Sequence, residues 1–258
     1  MGSASREALA QARTALRAEQ SAGTGPELLQ VANQLEANPA LAAVLGDATA
    51  AAESKSQLVA RLFAGIGSDA RGVLTAAVTG RWSNAGEFVE GVEELGIRSA
   101  ALRTPSLSDE LLAVADLVDR DHDLELSLAS KLVAAEGKVS LITRLLDGKI
   151  SSETLAVVQQ LVANSRGRRL DVSLRRAARV AADEGGSELA TVTVAAPLSA
   201  DQQNRLAAAL ERSAGRPVKV TTVIDPELIG GIRVQIADDV IDGSIRSRLD
   251  DLRQQLAA

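Results

Sequence analysis

The chain has 258 residues, 46% hydrophobic and 24% charged, enough for one large domain or two to three small ones with real cores. A net charge of −6 argues against a nucleic-acid binder, and the absence of cysteine rules out disulfides, thiolate metal sites and a cysteine nucleophile. Aromatics are 1% (Phe63, Trp82 and Phe88), so base-stacking platforms have no material and the core must come from Leu, Val, Ile and Ala, which suit closely packed helices.

The N-terminal stretch Met1-Gly2-Ser3-Ala4-Ser5-Arg6-Glu7 lacks the apolar centre of a signal peptide. No apolar run approaches the ~20 residues of a membrane span. The expected location is therefore cytoplasmic, with any membrane reached through partners. Helical signals dominate up to about Glu184. Glu27-Leu28-Leu29-Gln30-Val31-Ala32 recurs as Glu110-Leu111-Leu112-Ala113-Val114-Ala115, 83 positions on. Without a gap the match continues: Leu41 falls on Leu124, Leu45 on Leu128, Glu53 on Glu136, Lys55 on Lys138, Leu58 on Leu141, Gly65 on Gly148 and Ser68 on Ser151. Apolar positions, charges and helix punctuation coincide, which indicates a duplicated helical unit. Ser68-Asp69, Ser108-Asp109-Glu110 and Ser151-Ser152-Glu153 are expected helix starts, and Gly65, Gly148 and Gly167 expected helix ends. Leu111, Val114, Ala115 and Val118 share one helical face, as do Leu155, Val158, Leu161 and Val162.

Three constellations in this region point away from chemistry. Asp119-Arg120-Asp121-His122-Asp123 opens like a calcium loop, but Leu124 stands where glycine is needed and Ser130 where a bidentate glutamate is needed. It reads as a solvated turn, with His122 at a helix start. Gly65-Ile66-Gly67 is too short for a phosphate loop, and no G-x-x-x-x-G-K-[ST] segment occurs. Arg166-Gly167-Arg168-Arg169 reads as a solvated helix end, and Trp82 as a core residue. No catalytic residue, metal ligand or cofactor is expected.

At Gly185-Gly186 the pattern changes to period two. Thr191-Val192-Thr193-Val194, Val218-Lys219-Val220-Thr221 and Ile232-Arg233-Val234-Gln235-Ile236 are predicted strands. Between the first two, Ser199 and Gln202 predict a capping box, followed by Leu206 and Leu210 on one helix face. A last helix is predicted to carry Ile245, Leu249, Leu252 and Leu256. The predicted fold is α+β, mostly α. A helical region with an internal repeat (1–105 and 106–185) precedes a small βαββα domain (187–258).

Asp225-Pro226-Glu227-Leu228-Ile229-Gly230-Gly231-Ile232-Arg233-Val234 resembles the signature of the ATP synthase delta subunit family, which is related to the mitochondrial oligomycin-sensitivity-conferring protein. Asp239-Val240-Ile241-Asp242-Gly243-Ser244 matches that family's next motif, and Ala196-Pro197-Leu198-Ser199 also fits. Residues 110–183 resemble its helical domain through Glu136, Lys138, Leu141, Leu145, Leu146, Gly148 and Asn164-Ser165-Arg166. Residues 1–105 resemble longer bacterial members in which the helical region is extended by a copy of itself. Physically, Asp225-Pro226 sets a turn, Gly230-Gly231 suggests a bulge, a positive φ or a close backbone approach, and Asp242 or Ser244 caps the last helix, with Gly243 between them.

The resemblance implies a non-catalytic stator subunit at the cytoplasmic face of the cell membrane. Its helical domain would grip N-terminal segments of the alpha subunits, and its C-terminal domain would hold the end of the b subunits. Leu111, Val114, Leu141 and Leu145 are candidate groove residues, while Asp225, Pro226, Gly230, Gly231, Asp242, Gly243 and Ser244 are expected to serve the fold. The alternative is a helical-repeat adaptor unrelated to energy conversion.

Overall fold

The computed structural model describes residues 1–16, 21–130, 132–165, 167–226, 228–236 and 239–245. It divides into two compact units, Met1–Ala181 and Ala182–Ala258. The first unit is helical: α1 (Ser3–Arg13), α2 (Thr24–Ala37), α3 (Pro39–Gly46), α4 (Ala52–Leu62), α5 (Ser68–Thr79), α6 (Ala85–Arg103), α7 (Leu107–Arg120), α8 (His122–Ala129), α9 (Ala135–Leu146), α10 (Ser152–Ala163) and the greater part of α11 (Leu170–Glu184).

The repeat is written into these bounds. α2 and α7 have 14 residues each, and α3 and α8 have eight, every bound 83 positions apart. The buried faces correspond too: Leu28, Val31, Ala32 and Leu35 in the first copy, Leu111, Val114, Ala115 and Val118 in the second. Register then slips by one residue, because α9 is a residue longer than α4. Glu27 Oε2 accepts the Gly67 N–H at 3.0 Å, and Glu110 Oε2 accepts the Ser151 N–H at 2.9 Å. Gly67 and Ser151 therefore play the same part, and the gapless pairing of Ser68 with Ser151 is one residue out.

The expected helix starts fare unequally. Ser151 is the N-cap of α10, its hydroxyl accepting from Thr154 N. Ser108, by contrast, lies inside α7 and is buried, while Ser106 holds the N-cap position. Ser68 is the first helical residue after Gly67.

The core of the first copy gathers Leu28, Val31, Leu35, Leu45, Val59, Leu74, Trp82, Phe88 and Leu95. Trp82 donates its indole N–H to Ala77 O at 2.8 Å and meets Phe88 edge-on at 5.7 Å. Its ring lies so close to Gly91 that any side chain there would collide. α10 packs against α2, α6, α7 and α9, so the two copies share contacts instead of standing apart.

The second unit holds β1 (Glu188–Val194), α12 (Ala200–Ala214), β2 (Val218–Ile224), β3 (Ile232–Ile236) and β4 (Asp239–Asp242). The sheet order is β2-β1-β3-β4, with β1 and β2 parallel and the other pairs antiparallel. β1 and β2 extend beyond the predicted cores, and β4 was not anticipated. Four residues reading Asp-Val-Ile-Asp offer too short a run for period two to register. The capping box at Ser199 and Gln202 is present, and α12 closes on Gly215 at φ +69°. Ala190, Val192 and Val194 of β1 pack with Leu210, Val218 and Val234 into this unit's own core. The predicted last helix over 245–256 falls, after Ile245, outside the described residues.

Candidate functional site

In the second unit the two sequence motifs meet. Asp225 N–H donates to Val194 O at 2.9 Å, and Leu228 N–H donates back to Asp225 O at 3.1 Å, so the Asp225-Pro226 segment is a turn anchored to the end of β1. Gly231 has φ +82°, and a Cβ there would collide with Gly243 O and stand 2.8 Å from Ser244 Cα. Two backbone bonds hold this contact, Gly243 N to Ile232 O at 2.9 Å and Ile245 N to Gly230 O at 3.0 Å. Arg233 Nε and Nη2 reach Asp242 Oδ2 at 3.1 and 3.0 Å, while Ser244 N–H donates to Asp242 Oδ1 at 2.9 Å. The Ser244 hydroxyl, then its backbone N–H, and then Arg233 hold the Asp242 carboxyl below the usual carboxylate range. Beside this clasp Ile229, Val240, Ile241 and Ile245 are exposed. Exposed apolar residues grouped near one motif are material for a contact with another chain.

In the first unit the four groove candidates separate by depth. Leu111 and Val114 are interior, at 0% and 2% exposure. Leu141 is 41% exposed and Leu145 half-buried. Periodicity missed other apolar residues that reach the surface: Leu117 on α7, Leu126 on α8, Leu132 and Val133 before α9, and Val172 on α11. For Leu117, Leu126, Leu132 and Val133 the signal that could have found them is an apolar residue where the first copy has a polar or small one, Gln34, Ala43, Thr49 and Ala50.

Within the basic cluster Arg168 and Arg169 have carboxylate partners, while the Arg169 side chain stays 60% exposed. Arg169 bonds Glu125 at 3.0 Å and Asp171 at 3.1 Å and reaches Asp119 at 3.7 Å, gathering α7, α8 and α11. Arg168 reaches Glu90 at 3.4 Å, and Arg175 bonds Asp116 at 2.8 Å. The stretch that opens like a calcium loop serves the turn: Asp121 caps α8 by accepting from Leu124 N at 3.0 Å. Glu110, reached by Ser106 Oγ at 2.7 Å and Ser151 Oγ at 2.8 Å, ties the starts of α7 and α10. Burial would raise its pKa, but hydrogen bonds from Thr154, Ser106 and Ser151 outweigh that and keep it below the usual value.

The sequence matches a known family. The family model for the ATP synthase delta (OSCP) subunit matches residues 98–256, which takes in the second copy and the sheet unit. An ATP synthase subunit delta of Leifsonia xyli subsp. xyli is 42% identical over 263 residues, spanning 100% of both chains. One from Streptomyces avermitilis is 37% identical over 269 residues, covering 99% of this chain and 98% of its own. A chain in the cryo-EM structure of the Toxoplasma gondii mitochondrial ATP synthase hexamer is 24% identical, with a TM-score of 0.42, over 63% of this chain and 96% of that one.

Proposed function

The chain belongs to the ATP synthase delta (OSCP) subunit family, and on that premise we propose that it is a non-catalytic peripheral-stalk component linking the catalytic head to subunit b. The observation that carries this reading is the pairing of two units, each with its own core and its own exposed apolar residues. A stator must grip two bodies, and two independently built surfaces meet that need.

The helical unit takes N-terminal segments of the alpha subunits. An amphipathic helix laid against exposed leucines gives a long-lived contact without catalysis. Leu141 and Leu145 contribute at the surface, and Leu111 and Val114 form the floor beneath. The sheet unit takes the C-terminal part of b, against Ile229, Val240, Ile241 and Ile245. The seven motif residues from Asp225 to Ser244 shape that surface and do not themselves react. In domain terms, 1–105 and 106–185 are the two helical copies, and 187–258 is the b-binding domain. No described helix is long and apolar enough to cross a membrane. The chain is held peripherally at the cytoplasmic membrane face by its partners.

Tagged full-length chain should bring the alpha and b subunits with it from solubilised membranes. Recovery of neither, under conditions where the ATP synthase stays assembled, would overturn this function.

A further inference from the structure

The chain contains two Asp-Gly steps, Asp147-Gly148 and Asp242-Gly243. Glycine has no Cβ to shield its amide nitrogen, and its backbone turns freely. At such a step that nitrogen can attack the side-chain carboxyl of the aspartate before it. The fold treats the two steps in opposite ways.

Asp242-Gly243 is locked. Gly243 N–H donates to Ile232 O at 2.9 Å, which occupies the nitrogen that would attack. Arg233 holds the Asp242 carboxyl at 3.0 and 3.1 Å, and Ser244 N–H holds it at 2.9 Å. These contacts, the Ser244 hydroxyl foremost, favour the carboxylate, a poorer electrophile than the neutral acid. Gly231 packs its backbone against Gly243 and Ser244, so that peptide has little room to turn.

Asp147-Gly148 is open. It forms the turn after α9, and both residues are exposed. Among the described residues the Asp147 carboxyl has no hydrogen bond or ion pair, and Gly148 N–H has no acceptor. Asp147 has ψ 130°, so its peptide must rotate to bring the nitrogen alongside the carboxyl. Gly148, at φ +71° with nothing within 4 Å of a Cβ, can follow that rotation. One backbone bond, Lys149 N–H to Leu146 O at 2.9 Å, spans the step. In the first copy the corresponding turn reads Phe63-Ala64-Gly65 and carries no aspartate.

We infer that Asp147 is a modification site, converting to isoaspartate in the folded chain, and that Asp242 is protected from the same reaction. The Gly148 nitrogen bonds to Asp147 Cγ. The carboxyl hydroxyl leaves as water with the amide proton, and a cyclic imide forms. Water then adds to one imide carbonyl. Opening at the side-chain carbonyl restores aspartate; opening at the main-chain carbonyl leaves the chain running through the side chain. One water leaves and one returns, so mass is unchanged and nothing is oxidised or reduced. The product has a free α-carboxylate and an extra main-chain methylene between α9 and the Ser151 cap of α10. It is a substrate for methyltransferases that act on isoaspartyl carboxylates.

The test ages the full-length chain in two arms, folded and unfolded in guanidinium, at one pH and temperature. Isoaspartate is read by methylation with S-adenosylmethionine and an isoaspartyl methyltransferase, and placed by peptide mapping. The unfolded arm reports the intrinsic chemistry at both steps. In the folded arm residue 147 should convert, and residue 242 should convert at least about tenfold more slowly, since it reacts only when the locked segment opens. Asp147→Glu should abolish the folded-state signal, because the longer side chain closes a larger ring far more slowly. Asp147 is exposed, so an unchanged thermal midpoint certifies that variant's fold. Equal conversion at 147 and 242 in the folded chain would overturn the inference. So would an unconverted residue 147 over a time in which the unfolded chain converts, or a signal that persists in Asp147→Glu.

Discussion

Gly231 carries two constraints at once, a left-handed backbone at φ +82° and a collision course with Gly243 and Ser244. Gly148 carries only the first, at φ +71° with open space around it. Gly148→Ala should therefore cost about 1 kcal/mol, and Gly231→Ala roughly 1–3 kcal/mol more, in paired urea titrations. Equal midpoints for the two variants would show that the clasp between the motifs contributes nothing. Glu110 offers a second residue-level test. Its depressed pKa means that the stability it adds is complete above the ordinary glutamate range near ~4.3 and is lost as pH falls through the lower folded value. Glu110→Gln should destabilise by about 1–3 kcal/mol at neutral pH and flatten the acid limb of the stability–pH curve. An acid limb identical to that of the parent would remove Glu110 from the account. Both residues were legible by type: a glycine pair ahead of a strand, and an acid in a helix's first turn. Their partners were not, since a contact between residues 231 and 243 or between 110 and 151 is a product of topology.

At the scale of elements, the duplication was the most readable feature, because equal helix lengths keep apolar positions in step over many turns. The one-residue slip between α4 and α9 escaped because a single added residue still leaves most apolar positions near their neighbours. β4 escaped because four residues make too few alternations. The face of α7 was legible as apolar, but periodicity cannot say whether such a face meets its own chain or another. Leu111 and Val114 meet their own chain, and Leu117 is exposed. Close packing of α2 on α6 leads to a further prediction. Gly96→Leu would drive a side chain into Leu29 and should cost about 1–3 kcal/mol of overpacking. The same change at Gly72 on α5, where a side chain would enter open space, should not destabilise. Thermal unfolding of the two variants decides it.

For the whole molecule, a family match that runs from residue 98 to 256 leaves most of the first copy outside, while relatives of the same length run through it. The first copy is thus an addition shared by long members and built from the same helical plan. It has a core of Leu28, Val59, Trp82 and Phe88, and its α2 and α6 touch α10 of the second copy. The central claim is that one chain holds two different bodies at once through two different units. The most direct measurement is mass photometry of three purified components: the catalytic head, the soluble part of b, and this chain. A complex containing head and b should form only when the chain is present. Leu141→Asp should release the head and leave b bound, and Ile241→Asp should release b and leave the head bound. A single variant that releases both partners while keeping its fold, or head and b competing for the chain, would contradict the account.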